Sequence, residues 1–205
     1  MNLTANLLDF AIRMIENIGY LGIIIILIAD NCGVPIPSEA ILALGGAAAA
    51  TGKFNIFVVM IIGTLAQTLG AYIAYQIGLH GGEPLVKRYG KYLLISSHDY
   101  DKAKAWFQKR GGQAIFISRL TPVIRTFISF PAGTFRMDLR RFLRDTFLGS
   151  LVWTIIFVTL GYLLGDNWRR YYDYLHYVDY LVIIAVLVLG GRFVYRKLKK
   201  KAEEK

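Results

Sequence analysis

Cysteine is nearly absent from this chain of 205 residues: Cys32 stands alone, so no intrachain disulfide can form and redox chemistry says nothing about compartment. Histidine is scarce too. His80, His98 and His176 are scattered and make no metal-ligand spacing. There is no phosphate-cradling glycine loop of the nucleotide-binding type and no recognisable nucleophile–base motif, so neither a cofactor nor a conventional enzyme active site is expected. No linker rich in Pro, Ser or Gly divides the chain, which reads as a single domain. Acidic residues are the minority, 14 against 24 Lys and Arg, for a formal net charge of +10. The basic residues flank apolar segments and form no separate patch with interleaved aromatics, so nucleic acid is not the expected partner.

What the chain has in abundance is apolar surface: 55% of its residues are hydrophobic. A water-soluble domain of this size could not bury that much, and the bilayer is the expected solvent. Residues 1–18 do not read as a cleaved signal, because Asp9, Arg13 and Glu16 interrupt them. Leu7, Leu8, Ala11, Ile15 and Ile18 fall on one helical face, which predicts an amphipathic helix in the membrane interface.

A full span needs about 20 apolar residues. Segments 54–80 and 145–165 meet that length, and 179–196 nearly does, with Tyr180 and Tyr195 at its ends. Two further apolar stretches are interrupted. Residues 19–51 break at "DNCGVPIPSE", and residues 113–135 break at "RLTPVIR". Pro35, Pro37 and Pro122 each lack a backbone donor and disfavour helix before them. Ser38 is the expected cap of the helix after the first break. Thr121 is the expected cap after the second, with Pro122 in the first turn. Each arm is too short to cross alone, so both stretches are expected to be re-entrant helical hairpins, whose broken backbone survives only where protein or a wet cavity shields it. The loop 81–112 is expected to carry an amphipathic helix from Tyr100 to Arg110, with Ala103, Trp106 and Phe107 on its apolar side.

With three spans, Lys and Arg divide four against eighteen between the two sides, leaving Arg119 and Arg125 in the second hairpin. The asymmetry places the tail 197–205 in the cytoplasm and the N-terminus outside. The two hairpins then enter from opposite faces. Hairpin plus span, twice and opposed, is an inverted-repeat arrangement of the kind transporters use.

Four charges lie at the breaks: Asp30 and Glu39 at the first, Arg119 and Arg125 at the second. Such groups are rare at membrane depth unless paired or functional. One expectation is two structural ion pairs holding the hairpins together. The other is an anion site, in which helix ends and two guanidiniums suit phosphate. The carboxylates would then exchange protons and couple transport to a proton gradient, Glu39 foremost. Arg136, Arg140, Arg141 and Arg144 form a basic cluster beside the second hairpin, expected to set topology or gather anionic headgroups.

"ADNCGVPIPSEAILALGGAAAATG" resembles the first signature of the DedA family, "GTLAQTLGAYIAYQIGLHGG" its glycine-and-tyrosine span, and "ISRLTPVIRTFISFPAGTFRMDLRRF" its arginine motif, with Trp153 following. The resemblance covers roughly residues 20–165 in the right order. Asp30 stands where Glu is common, and Ala66 and Gln67 replace small or acidic residues often seen in the span. The resemblance implies an all-α integral membrane transporter with opposed re-entrant hairpins in the bacterial cytoplasmic membrane. It also implies that Asp30, Glu39, Arg119 and Arg125 occupy the family's essential charged positions. The expected cargo is undecaprenyl phosphate, flipped inward for recycling in cell-wall synthesis. The expected binding set is Arg119, Arg125, Glu39, Asp30, Ser38 and Thr121. Alternatives are a flippase or scramblase of phosphatidylethanolamine, a membrane enzyme acting on lipid phosphates, and a structural membrane-organising protein. A homodimer is compatible with so short a chain.

Overall fold

The break at Cys32–Pro37 and the length of the apolar run from Ile56 organise the whole fold. The computed structural model describes residues 3–34, 36–82, 97–121 and 124–165. The expected third span, 179–196, and the basic tail, 197–205, lie outside the described residues, as do Pro35 and Pro122.

Among the described residues every regular element is helical. Helix α1 covers Leu3–Ile18, and Gly19, at φ 59°, turns the chain into α2, Tyr20–Asn31. A second turn through Gly33, at φ 105°, leads to α3, Ser38–Ala50. Only glycine adopts such angles without strain. At about 1.5 Å per residue, α2 and α3 each reach about 20 Å, short of the roughly 30 Å of hydrocarbon in a bilayer.

Helix α4, Ile56–Ile77, is different. Asn55 caps it, its side-chain oxygen accepting from Phe57 N at 2.9 Å and Val58 N at 3.3 Å. A π-helical turn, Gly78–Gly82, extends it, and the continuous stretch Ile56–Gly82 is long and apolar enough to cross a membrane. After the undescribed segment come α5, Ser97–Arg119, two short helices α6, Ile124–Phe127, and α7, Ser129–Thr134, and the long α8, Leu139–Leu164. Asp138 caps α8 by accepting from Arg141 N at 2.8 Å. α8 is the second helix long and apolar enough to cross. It starts several residues before the expected 145, taking Arg140, Arg141 and Arg144 into its first turns.

Two local expectations need correction. The amphipathic stretch from Tyr100 to Arg110 and the arm from Ala114 are one unbroken helix, because Gly111 and Gly112 are buried inside α5 and do not end it. Ser38 does not cap α3. Pro37 holds the capping position, with no side-chain cap, and Ser38 is the first helical residue. Thr121 offers the next helix its backbone carbonyl, which accepts from Arg125 N at 3.3 Å. Its hydroxyl turns back and donates to Ile117 O at 3.2 Å, closing the end of α5.

Phe57, Ile61, Leu65, Leu69, Ile73 and Ile77 recur every four residues along α4, and all are exposed. Leu148, Val152, Ile156 and Leu160 do the same on α8, with Ile155 and Leu163 exposed beside them. Apolar ridges of that length have no place in water and suit lipid. The opposite faces pack inward through small residues.

The inward packing is reciprocal. A Cβ at Gly70 of α4 would stand 2.6 Å from Ile28 O and 2.8 Å from Asn31 Cβ of α2. A Cβ at Gly149 of α8 would stand 3.3 Å from Phe116 O and 2.5 Å from Arg119 Cβ of α5. The second arms repeat the relation crosswise: Gly46 of α3 abuts Val158 and Tyr162 of α8, and Gly133 of α7 abuts Tyr75 and Leu79 at the end of α4. Gly161 against Ala43 and Gly78 against Phe130 complete the two crossings. Small residues at these points let backbones touch, which is how helices associate where hydrophobic burial offers no drive.

Candidate functional site

Both interrupted segments deliver their charges to one place. Asp30 lies in the last turn of α2, where the negative end of the helix repels a carboxylate, and it is 3% exposed. Its neutraliser is Arg125 of α6, whose Nη2 donates to Asp30 Oδ2 at 3.1 Å. Glu39, in the first turn of α3, reaches the same guanidinium more loosely, Oε1 to Nε at 3.7 Å. The Nη1 of Arg125 donates to Gln67 Oε1 at 3.1 Å, and its Cζ lies 4.9 Å from the centroid of the Trp153 ring. One buried guanidinium thus meets two carboxylates, an amide oxygen and an aromatic face.

Arg119 is placed otherwise. It ends α5, 2% exposed, with its stem against Gly149. Nη1 donates to Asn31 Oδ1 and Nη2 to Ser129 Oγ, both at 2.7 Å, and Nε has no partner. Among the described residues no carboxylate is within salt-bridge distance of it. Asn31 joins the halves of the network, because its Nδ2 also donates to Asp30 Oδ2 at 3.2 Å. Formal charge sums to zero over two arginines and two carboxylates, but the pairing is lopsided. Arg125 takes both anions, and Arg119 is held by neutral dipoles. That differs from the two separate ion pairs weighed from the sequence.

Of the six residues singled out in the sequence, four form this network. Ser38 is buried beside it, its hydroxyl against Asp30 without a hydrogen bond of good geometry. Thr121 stays outside, bonded to its own helix. Sequence reasoning missed Asn31, Gln67, Ser129 and Thr154. Gln67 carried a signal, a carboxamide in the middle of an apolar span, and its Nε2 is fixed by Thr154 Oγ1 at 2.8 Å so that its oxygen faces Arg125. Ser129 and Thr154 carried none, since hydroxyls are ordinary in apolar helices. In the basic cluster, Arg144 Nε donates to Asp145 Oδ1 at 2.8 Å and is otherwise largely exposed.

The VTT domain model matches residues 36–163, which include Glu39, Gln67, both arginines, all of α4 and all but the last residue of α8. The chain belongs to the DedA family. This DedA-family protein is 37% identical over 193 residues to undecaprenyl phosphate transporter A of Bacillus subtilis (strain 168), covering 94% of this chain and 96% of the relative. It is 39% identical over 191 residues to an alkaline phosphatase-like protein of Lactococcus lactis subsp. lactis (strain IL1403), covering 91% of this chain and 88% of that one. Protein DedA of Escherichia coli (strain K12) is 30% identical over 132 residues, 63% of this chain and 60% of the relative. No solved structure matches the chain. The family and the two long apolar helices make this a membrane protein.

Proposed function

We propose that this protein is a lipid transporter that flips undecaprenyl phosphate from the outer to the inner leaflet of the cytoplasmic membrane. The observation that carries the reading is Arg119: a buried, permanently charged fork with no carboxylate partner among the described residues and one donor unused. A phosphate monoester offers what it lacks. The relative named undecaprenyl phosphate transporter A, matched along nearly its whole length, supports the same cargo.

In this reading α2 with α3, and α5 with α6 and α7, are the two opposed re-entrant hairpins, and α4 and α8 are their partner spans. The crosswise glycine contacts support an inverted repeat, since each half offers the same surface to the other. The lipid phosphate displaces Asn31 and Ser129 from Arg119 and competes with the carboxylates for Arg125. The prenyl tail stays in lipid. Glu39, held at 3.7 Å and slightly the more open of the two carboxylates, is released first and takes a proton, coupling the cycle to the proton gradient. The exposed arginines at the start of α8 collect anionic headgroups at the cytoplasmic mouth.

The test is translocation of undecaprenyl phosphate by pure protein in liposomes, with Arg119→Ala and Arg125→Ala alongside. Wild-type transport lost in both folded variants is the expected result. Variants that behave like wild type would sink the phosphate clamp. Glu39→Gln is expected to remove the dependence on a proton gradient. A second reading, a phosphatidylethanolamine flippase, draws on the loose Glu39 contact, which an amine headgroup could take over; wild type moving only that lipid would favour it. Release of inorganic phosphate from the lipid would instead turn attention to enzymatic chemistry, as the name of the Lactococcus relative suggests for that protein.

A further inference from the structure

Hydroxyls inside the helices of this chain normally close on their own backbone. Thr64 donates to Met60 O and Thr68 to Thr64 O, both at 2.8 Å, and Ser118 to Ile115 O at 2.7 Å. That is the ordinary solution for a hydroxyl in an apolar helix. Two hydroxyls of α8 do not adopt it. Thr146 is 0% exposed and Ser150 1%, yet neither Oγ has a hydrogen-bond partner. One turn further the indole N–H of Trp153 is in the same condition, buried and unpaired.

Positions 146, 150 and 153 follow the spacing that places side chains on one face of a helix. Arg119 comes to that face, because its stem packs on Gly149, next to Ser150, and its Nε is a fourth buried group without a partner. Phe142, fully buried, lies on the same face at one end, and Phe157, whose ring centroid is 4.7 Å from that of Trp153, at the other. The remaining unpaired polar atom on α8, Oδ2 of Asp145, is directed elsewhere, against Gly112 of α5.

Buried polar atoms are nearly always paired, so four unpaired ones around a single helix face ask for a missing partner. Their chemistry says which. An indole N–H and a guanidinium N–H can only donate, and hydroxyls donate as readily as they accept. The absent partner is therefore rich in acceptors, and Arg119, whose guanidinium meets only neutral dipoles at hydrogen-bond distance, makes it an anion. Neighbours three or four residues apart on a helix stand about 5–6 Å from each other at Cβ. A tetrahedral oxyanion bridges such a gap with one hydrogen bond to either side. The row from Thr146 to Trp153 rises about 10 Å, long enough to hand an anion from one pair of donors to the next.

We infer that the Thr146–Ser150–Trp153 face of α8, with Arg119 Nε, is a phosphate-binding surface that is covered in this conformation and uncovered when the helices around it shift. Its ligand is a phosphate monoester, whether the headgroup of a lipid or free inorganic phosphate. The inference rests on the transport reading above and extends it: the arginines receive the phosphate, and this face is its next station.

The test uses the full chain with Thr146→Val, Ser150→Ala and the double variant. In the resting protein each change removes an unpaired hydroxyl, so Tm in detergent should rise, by about 2–4 °C per site. Translocation of undecaprenyl phosphate in liposomes should fall roughly tenfold per site, the value of one hydrogen bond to a charged group. The source of the phosphate is read by thermal shift. If inorganic phosphate protects wild type and not the double variant, phosphate alone is recognised. If only the lipid-linked phosphate does so, the tail is required, and the surface stands in either case. A raised Tm with unchanged transport would overturn the inference, leaving the hydroxyls as packing faults, and a lowered Tm would show that they have partners already. Wild type that moves no phosphate lipid would sink the transport reading itself, and this surface would fall separately if neither form of phosphate shifted wild-type Tm.

Discussion

Asn31 and Arg119, 88 positions apart, meet at 2.7 Å, and each packs against a glycine of the span that follows its own helix. Asn31 lies against Gly70, and Arg119 against Gly149. The two interrupted segments therefore touch through corresponding positions, one bearing a neutral amide and the other a charge. That inequality leaves Arg119 with no carboxylate at salt-bridge distance among the described residues and makes the pair the place to perturb first.

Asn31→Asp puts a carboxylate where Arg119 now finds an amide oxygen. The resting protein should hold or lose a little Tm, because Arg119 gains a counter-ion while Asp30 loses the Nδ2 donor at 3.2 Å and gains a like charge beside it. Transport of a phosphate lipid should be lost, since the guanidinium is then occupied. Thermal melts and liposome flux on one preparation check both; flux equal to wild type would count against Arg119 as the receiver.

Arg125 binds two carboxylates and Gln67 at once. Arg125→Ala strands both anions and should cost about 3–5 kcal/mol of stability, the usual penalty for breaking a buried pair from one side. Arg125→Lys keeps the charge but lacks the planar fork, so it should recover part of the stability and little of the transport. Unfolding in mild denaturant, compared with flux, separates the two effects.

Gly149→Ala brings a methyl group to 2.5 Å from Arg119 Cβ. No rotamer of alanine avoids that contact, so α5 or the arginine must shift, at about 1–3 kcal/mol for an overpacked site. Flux should fall with Tm. A variant with normal flux would show that the position of Arg119 is not tightly set by α8.

Gln67→Leu keeps the bulk of the side chain and removes its polar end. Arg125 Nη1 loses an acceptor and Thr154 loses the donor at 2.8 Å, both buried. The loss should be about 1–3 kcal/mol, measured as a fall in Tm. Gln67→Glu should be tolerated better by Arg125 but should weaken its hold on Glu39.

The sequence by itself determined the helical class, the two long apolar segments, the two breaks and the four charges at them. Each depends on local chemistry: run length against bilayer thickness, glycine and proline where helix must stop, and the cost of charge in an apolar run. It misjudged what depends on context. Gly111 and Gly112 look like a boundary, yet α5 passes through them, because packing against Met137, Asp145 and Arg141 gives those glycines a reason to be helical. Ser38 has the residue type of a cap, but the approach of α3 to Asp30 buries it one position inside the helix. Which arginine meets which carboxylate was not legible either. Arg119 and Arg125 are alike in sequence, and only the tertiary structure sets one between two anions and the other between Asn31 and Ser129. The reason is distance: the partners come from helices 58 to 95 residues apart for Arg125, and the glycines that let those helices touch decide which polar ends arrive together.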